Sequence, residues 1–216
     1  MLNLIKSLGF SIKKNKIKNS VIIKKKRIKT FASYSLVKTM RAGILVLGPL
    51  ISKYRKATTS LPGGCLIGAR PVNFHLNALG KLGMTHSIKK GYIYASAHRG
   101  LKGSIIKFPK ISVGATENAI LAATLAKGKT ILKNCAIEPE IKDLVKFINL
   151  MGGNIKWIGK RTLKIQGVNK FNEIKYNIMP DRIEAGTYLI AAAVTEGNLK
   201  VHGIKTNIIK TEIDIL

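Results

Sequence analysis

The stretch "ATENAILAATLAKGKTILKN" (Ala115–Asn134) decides how this chain is read. Its alanine-rich first half predicts a helix, Gly128 predicts the stop, and "KTILKN" alternates as a strand does. A second stretch, "DRIEAGTYLIAAAVTEGNLKVHG" (Asp181–Gly203), has the same layout with Gly197 standing where Gly128 does, 69 residues later. Two further segments share that offset. "LGKLGMTHSIKKGYIYAS" (Leu79–Ser96) and "LMGGNIKWIGKRTLKIQ" (Leu150–Gln166) each end a helix at glycine and enter two short strands, with Gly83 and Gly152 again 69 residues apart. An internal repeat of helix–strand–helix–strand–strand follows. One such unit cannot bury its own helix and sheet faces, so several must pack together.

Upstream, "SLVKTMRAGILVLGPLISKYR" (Ser35–Arg55) spaces its apolar residues as a helix, with Pro49 expected to bend or end its first part. Residues 1–30 differ. "SIKKNKIKNSVIIKKKRIKT" (Ser11–Thr30) is a basic, low-complexity run with no convincing helix or strand period, and it lacks the interleaved aromatics that stack on bases.

The 216 residues suffice for one large or two small domains. A mean hydropathy of +0.12 indicates a folded globule, and no apolar run reaches membrane-spanning length. The start lacks a convincing signal-peptide cleavage site, and two isolated cysteines suggest a reduced, cytoplasmic setting. The net charge of +28 is uneven: the first 116 residues hold 23 Lys and Arg and no acid. That asymmetry fits an anionic partner, and equally a compositional bias toward lysine.

In "SLPGGCLIGARPVN" (Ser60–Asn73), Pro62, Gly63 and Gly64 build a turn able to carry Cys65 outward. Arg70 would favour the thiolate and hold an anion near it. The other reading makes Cys65 a small buried residue at a hairpin end. "PKISVGATENA" (Pro109–Ala119) runs from strand to helix, where Lys110, Ser112 and free backbone N–H groups suit a phosphate or form an ordinary N-cap. His75, His86, His98 and His202 have no metal-ligand spacing, so neither metal nor cofactor is expected. Trp157 and the tyrosines are expected on strand faces, and no P-loop or dinucleotide fingerprint is present.

Taken together, "LVKTMRAGILVLGPL", "SLPGGCLIGARPV", "KISVGATENAILAATLAKGKTIL", "EPEIKDL" (Glu138–Leu144) and "MPDRIEAGTYLIAAA" (Met179–Ala193) resemble the UDP-N-acetylglucosamine enolpyruvyl transferases, from about Phe31 to Gly203. The resemblance implies an α/β (α+β) fold: an inside-out α/β barrel of repeated units with the helices inside, incomplete here. It implies enolpyruvyl transfer from phosphoenolpyruvate to the 3-hydroxyl of UDP-N-acetylglucosamine, the first committed step of peptidoglycan synthesis. Cys65 would be the general acid and the residue that fosfomycin alkylates. Arg70 would contact phosphate, and Arg41 would stand at the substrate site. Pro71, Val72, Asn73 and Phe74 would cradle the nucleotide, as would Lys110, Ile111, Ser112 and Val113 around the uracil and diphosphate.

Asn73 and Ser35 replace usual aspartates, and residues 1–30 show none of the Lys-Asn pattern expected of the family's first repeat. The chain therefore reads as a truncated copy. Residues 1–30 form an extension outside the match, 31–180 a partial first domain, and 181–216 the start of a second, without the general base. A basic nucleic-acid-binding protein and a non-functional remnant stand as alternatives. Oligomeric state is left open, and no membrane partner is expected.

Overall fold

A computed structural model describes residues 1–15, 17, 20–63 and 72–216. They form two compact units, Met1–Glu173 and Ile174–Leu216. In chain order the first unit comprises α1 (Leu2–Ser7), β1 (Phe10–Asn15), β2 (Ser20–Lys25), β3 (Phe31–Ala32), α2 (Tyr34–Val37), a 3₁₀ helix (Arg41–Val46), α3 (Leu47–Tyr54), β4 (Lys56–Ser60), α4 (Asn73–Lys81), β5 (Thr85–Lys89) and β6 (Tyr92–Ser96). It continues with β7 (Ile105–Lys107), α5 (Val113–Ala123), β8 (Lys129–Lys133), α6 (Pro139–Leu150), β9 (Asn154–Gly159) and β10 (Thr162–Gln166).

The repeat is real in three dimensions. One sheet has the order β3-β4-β6-β5 and the other β7-β8-β10-β9. In each, the first pair is parallel and the other two are antiparallel. Leu132 and Leu163 pair across β8 and β10, both fully buried, and Ile93 faces Thr59 across β6 and β4 in the same way. Each such leucine contributes about 2 kcal/mol of apolar burial. The buried faces of both sheets join the helices in one hydrophobic core. At its centre lies α5, buried around most of its circumference through Ala115, Ala119, Ala122 and Ala123. The alanine methyl is too small to hold neighbours away, so α3 and α4 both pack closely against it. Helices thus gather inside, as expected, though the described residues do not close a barrel.

Gly83 and Gly152 end α4 and α6 in the left-handed region, with φ of +101° and +94°. Behind them Met84 N–H donates to the Leu79 carbonyl and Gly153 N–H to that of Ile148, so both helices end through the same six-residue loop. Only glycine adopts this conformation without strain, which is why the spacing was legible.

Several expectations are corrected. Residues 1–30 are not formless: α1 buries Leu4 and Leu8 in the core, Gly9 has φ +94°, and β1 pairs antiparallel with β2. This helix–glycine–hairpin matches α4–Gly83–β5–β6, but lysines on both faces of the exposed hairpin erase any apolar period. Ser35–Arg55 is three short pieces rather than one helix. Pro49 occupies the first turn of α3, because deeper in a helix its ring would strike the carbonyl four residues back. The helix before Gly128 ends at Ala123, and Leu125 and Ala126 tighten it into i→i−3 turns.

In the second unit, α7 (Arg182–Val194) starts at Asp181, whose carboxylate accepts from the Ile183 and Glu184 N–H groups at 2.9 and 3.0 Å. A 3₁₀ turn (Thr206–Ile208) and α8 (Lys210–Ile213) follow, and Arg182 pairs with Glu212. The strand expected after Gly197 is absent from the described residues, since no neighbouring strand is there to receive its hydrogen bonds. The left-handed position is Glu196, at φ +52°, and not Gly197.

Candidate functional site

Three chain segments meet at a cavity of about 630 Å³ in the first unit. Arg41 opens the 3₁₀ helix at one side. The first turn of α4 supplies Phe74 and His75, and the start of α5 supplies Ile111, Ser112 and Val113. Distant in sequence, these segments converge because α3 and α4 both pack on α5.

Ser112 is the N-cap of α5, and its Oγ accepts from the Ala115 N–H at 3.3 Å. The ordinary capping role foreseen for it is therefore present, and the helix start still opens onto the cavity, where its dipole favours an anion. Below the wall, Asn118 is fully buried with every polar atom used. Its Oδ1 accepts from the Gly48 N–H at 2.8 Å, and its Nδ2 lies 3.2 Å from both the Ile44 carbonyl and His75 Nδ1. Two amide hydrogens and two acceptors match when His75 Nδ1 carries no proton. Burial, with the nearby Arg41 charge, pushes the His75 pKa down to about 4, so the ring is neutral at pH 7. Glu117 also reaches the cavity, and burial followed by repulsion from Glu140 raises its pKa.

Among the described residues, the Arg41 cation, a helix N-terminus and apolar walls from Phe74, Ile111 and Val113 together suit a ligand with an anionic group joined to a flat or apolar body. Of the residues singled out in sequence, Arg41, Phe74, Ile111, Ser112 and Val113 meet here. Val72 caps α4 and is buried, while Asn73 and Lys110 are exposed and do not line the cavity. Cys65, Arg70 and Pro71 lie outside the described residues. Cys135, the other cysteine, is fully buried, and that burial raises its thiol pKa to about 11.

Sequence reasoning passed over His75, Glu117 and Asn118. His75 directly follows Phe74, the last residue of a segment already marked, but only the tertiary contact with α5 shows its role. Among the described residues no group of three metal-ligating side chains occurs, and no helix is long and apolar enough to cross a membrane.

Comparison with known proteins gives consistent results. The family model for EPSP synthase (3-phosphoshikimate 1-carboxyvinyltransferase) matches residues 1–216, so residues 1–30 fall inside the match. A UDP-N-acetylglucosamine 1-carboxyvinyltransferase from Pelagibacter ubique is 66% identical over all 216 residues, which cover 52% of that protein. One from Rickettsia bellii is 54% identical over 179 residues, 83% of this chain and 43% of the relative. The chain thus spans about half the length of the curated relatives it matches. Among solved structures, the enolpyruvyl transferase NikO from Streptomyces tendae superposes with a TM-score of 0.71 at 19% identity, covering 88% of this chain and 45% of that one. EPSP synthase from Acinetobacter baumannii gives 0.65 at 18% identity, covering 89% and 44%. Both likenesses bear on the fold.

Proposed function

The chain belongs to the EPSP synthase family, and on that premise we propose that it carries the sugar-nucleotide side of a UDP-N-acetylglucosamine enolpyruvyl transferase. One observation carries the choice of substrate: 66% identity along the entire chain to a relative of that name. The cavity agrees with it. Arg41 and the start of α5 offer charge to a diphosphate, and Phe74, Ile111 and Val113 offer apolar surface to a uracil ring.

In the proposed reaction the sugar 3-hydroxyl adds through oxygen to C2 of phosphoenolpyruvate while C3 gains a proton. C3 then loses a proton as phosphate leaves from C2, which gives the enolpyruvyl ether and inorganic phosphate. Cys65 is assigned the proton delivery to C3, Arg70 a phosphate contact, and Pro71, Val72 and Asn73 the nucleotide cradle together with Lys110. We assign residues 31–180 to the domain bearing this loop and residues 181–216 to the start of a second. The product would enter peptidoglycan synthesis, in a cytoplasmic setting.

The test is calorimetric titration of the purified chain with UDP-N-acetylglucosamine and, separately, with 3-phosphoshikimate. The first should bind and be displaced by UDP, and the second should not bind. Preference for 3-phosphoshikimate, or no response to either nucleotide, rejects the reading. Mass spectrometry of a mixture with phosphoenolpyruvate then shows whether enolpyruvyl-UDP-N-acetylglucosamine forms.

A further inference from the structure

An imidazole has two nitrogens, and the surroundings of His75 give each a fixed character. Nδ1 lies 3.2 Å from Asn118 Nδ2. The orientation of that carboxamide is set at its other end, where Oδ1 accepts from the Gly48 N–H at 2.8 Å, because a backbone N–H can only donate. Asn118 Nδ2 therefore has only hydrogens to give, and His75 Nδ1 must be the acceptor. Burial and the Arg41 charge keep the ring neutral at pH 7. A neutral imidazole carries one N–H, which then falls on Nε2. Among the described residues nothing accepts a hydrogen bond from it.

That donor faces the start of α5. His75 is 4% exposed and lines the cavity together with Gly114, the second residue of the helix. A Cβ on Gly114 would lie 3.6 Å from Nε2 and 3.3 Å from Cε1, so glycine leaves the ring its place against the helix. The Ala115 N–H is taken by Ser112 Oγ, whereas the N–H groups of Val113 and Gly114 have no partner within the helix. A side-chain donor thus stands beside two backbone donors. Turning the ring over would remove the acceptor from Asn118 Nδ2, which also binds the Ile44 carbonyl and cannot follow it.

Resting on the sugar-nucleotide reading above, we propose that His75 binds the nucleotide directly: its Nε2–H donates to a phosphate oxygen of the UDP group at the start of α5. Asn118 is the positioning residue, since it decides which ring nitrogen carries the proton. Arg41 supplies charge to the same anion, and His75 supplies direction without charge. A second cation in this wall would have to be desolvated whenever the cavity is empty, a cost that a neutral donor avoids.

Two substitutions separate the ring nitrogens. His75→Asn keeps an oxygen near the place of Nδ1, able to accept from Asn118, and has nothing at the place of Nε2. His75→Gln carries its amide to the place of Nε2 and gives up the acceptor. His75→Asn should weaken UDP binding about tenfold in calorimetric titration, the loss of one hydrogen bond to a charged group. His75→Gln should bind UDP more tightly than His75→Asn and be the less stable of the two in urea. The reverse order of affinities overturns the proposal. Should either variant fail to fold, the unsubstituted chain labelled with ¹⁵N-histidine decides. Long-range ¹H–¹⁵N spectra should show His75 protonated at Nε2 and not at Nδ1, and UDP should shift the Nε2 signal. A proton on Nδ1 overturns the proposal. Inorganic pyrophosphate separates it from the nucleotide reading. A pyrophosphate-induced shift of Nε2 without UDP binding sinks the nucleotide reading alone, and UDP binding that leaves Nε2 unmoved sinks this one alone.

Discussion

The Gly48 N–H donates to Asn118 Oδ1 at 2.8 Å, and a Cβ on Gly48 would collide with that same carboxamide. Gly48 lies in the first turn of α3, where N–H groups have no partner within the helix, and next to Pro49, which has no N–H to offer. A side chain on α5 thus caps α3 from 70 residues away. The same carboxamide donates from Nδ2 to the Ile44 carbonyl at 3.2 Å and so ties the 3₁₀ helix that Arg41 opens to α5.

Gly48→Ala should destabilise the chain by about 2 kcal/mol through overpacking, and Asn118→Ala by about 3 kcal/mol through stranded buried partners. In the Asn118→Ala background the clash with the carboxamide is gone but the approach to the Asn118 backbone carbonyl remains, so Gly48→Ala should cost less than in the unsubstituted chain without becoming neutral. Urea unfolding of the two single variants and the double variant measures this. Simple additivity would reject the contact as the cause.

His75 makes stability depend on pH. Its folded pKa of about 4 lies below the ordinary value of 6.5, so the unfolded chain takes up the proton first as pH falls. Stability should therefore be full above pH 6.5 and decline toward pH 4, by about 3 kcal/mol at most from this group. Glu117, with a raised pKa, acts in the opposite sense, losing stability as pH rises through its folded value. His75→Gln should flatten the decline between pH 6.5 and 4.5, and Glu117→Gln should stabilise the chain at pH 7. Denaturation midpoints across that range decide both.

Fosfomycin should label Cys65 and leave Cys135 untouched. Cys135 is sealed in the core, and its Sγ–H donates to the Leu132 carbonyl at 3.4 Å. At a pKa of about 11, roughly one thiol in ten thousand is ionised at pH 7. Peptide mapping of labelled Cys65→Ser and Cys135→Ser chains should show the adduct lost in the first and kept in the second. A Cys135 adduct in the folded chain would contradict this assignment.

Arg41→Ala should weaken UDP-N-acetylglucosamine binding by at least tenfold, since loss of one charged hydrogen bond to the ligand is worth about 2 kcal/mol. Ser112→Ala should instead cost about 1 kcal/mol of stability as the cap on α5 is lost. Calorimetry and urea unfolding on the same samples separate the two effects.

The repeat was legible because its landmarks are local. Gly83 and Gly152 mark left-handed helix ends wherever they occur, and the alternation in β6, β8 and β10 needs only one buried face to be visible. The α1–hairpin segment was missed because its strands bury almost nothing and therefore carry no period. The strand expected after α7 failed for the reverse reason: the pattern was present, but a strand also needs a neighbour to bond to.

By itself, the sequence determined the repeat plan, the family and the segments that approach the site, since all three rest on short runs of residues in order. Only the tertiary structure decided that Arg41, His75, Ser112 and Glu117 share one cavity with Asn118 beneath it, because those residues belong to three segments. Their meeting depends on the alanine surface of α5, which lets α3 and α4 approach closely enough for one carboxamide to bridge both.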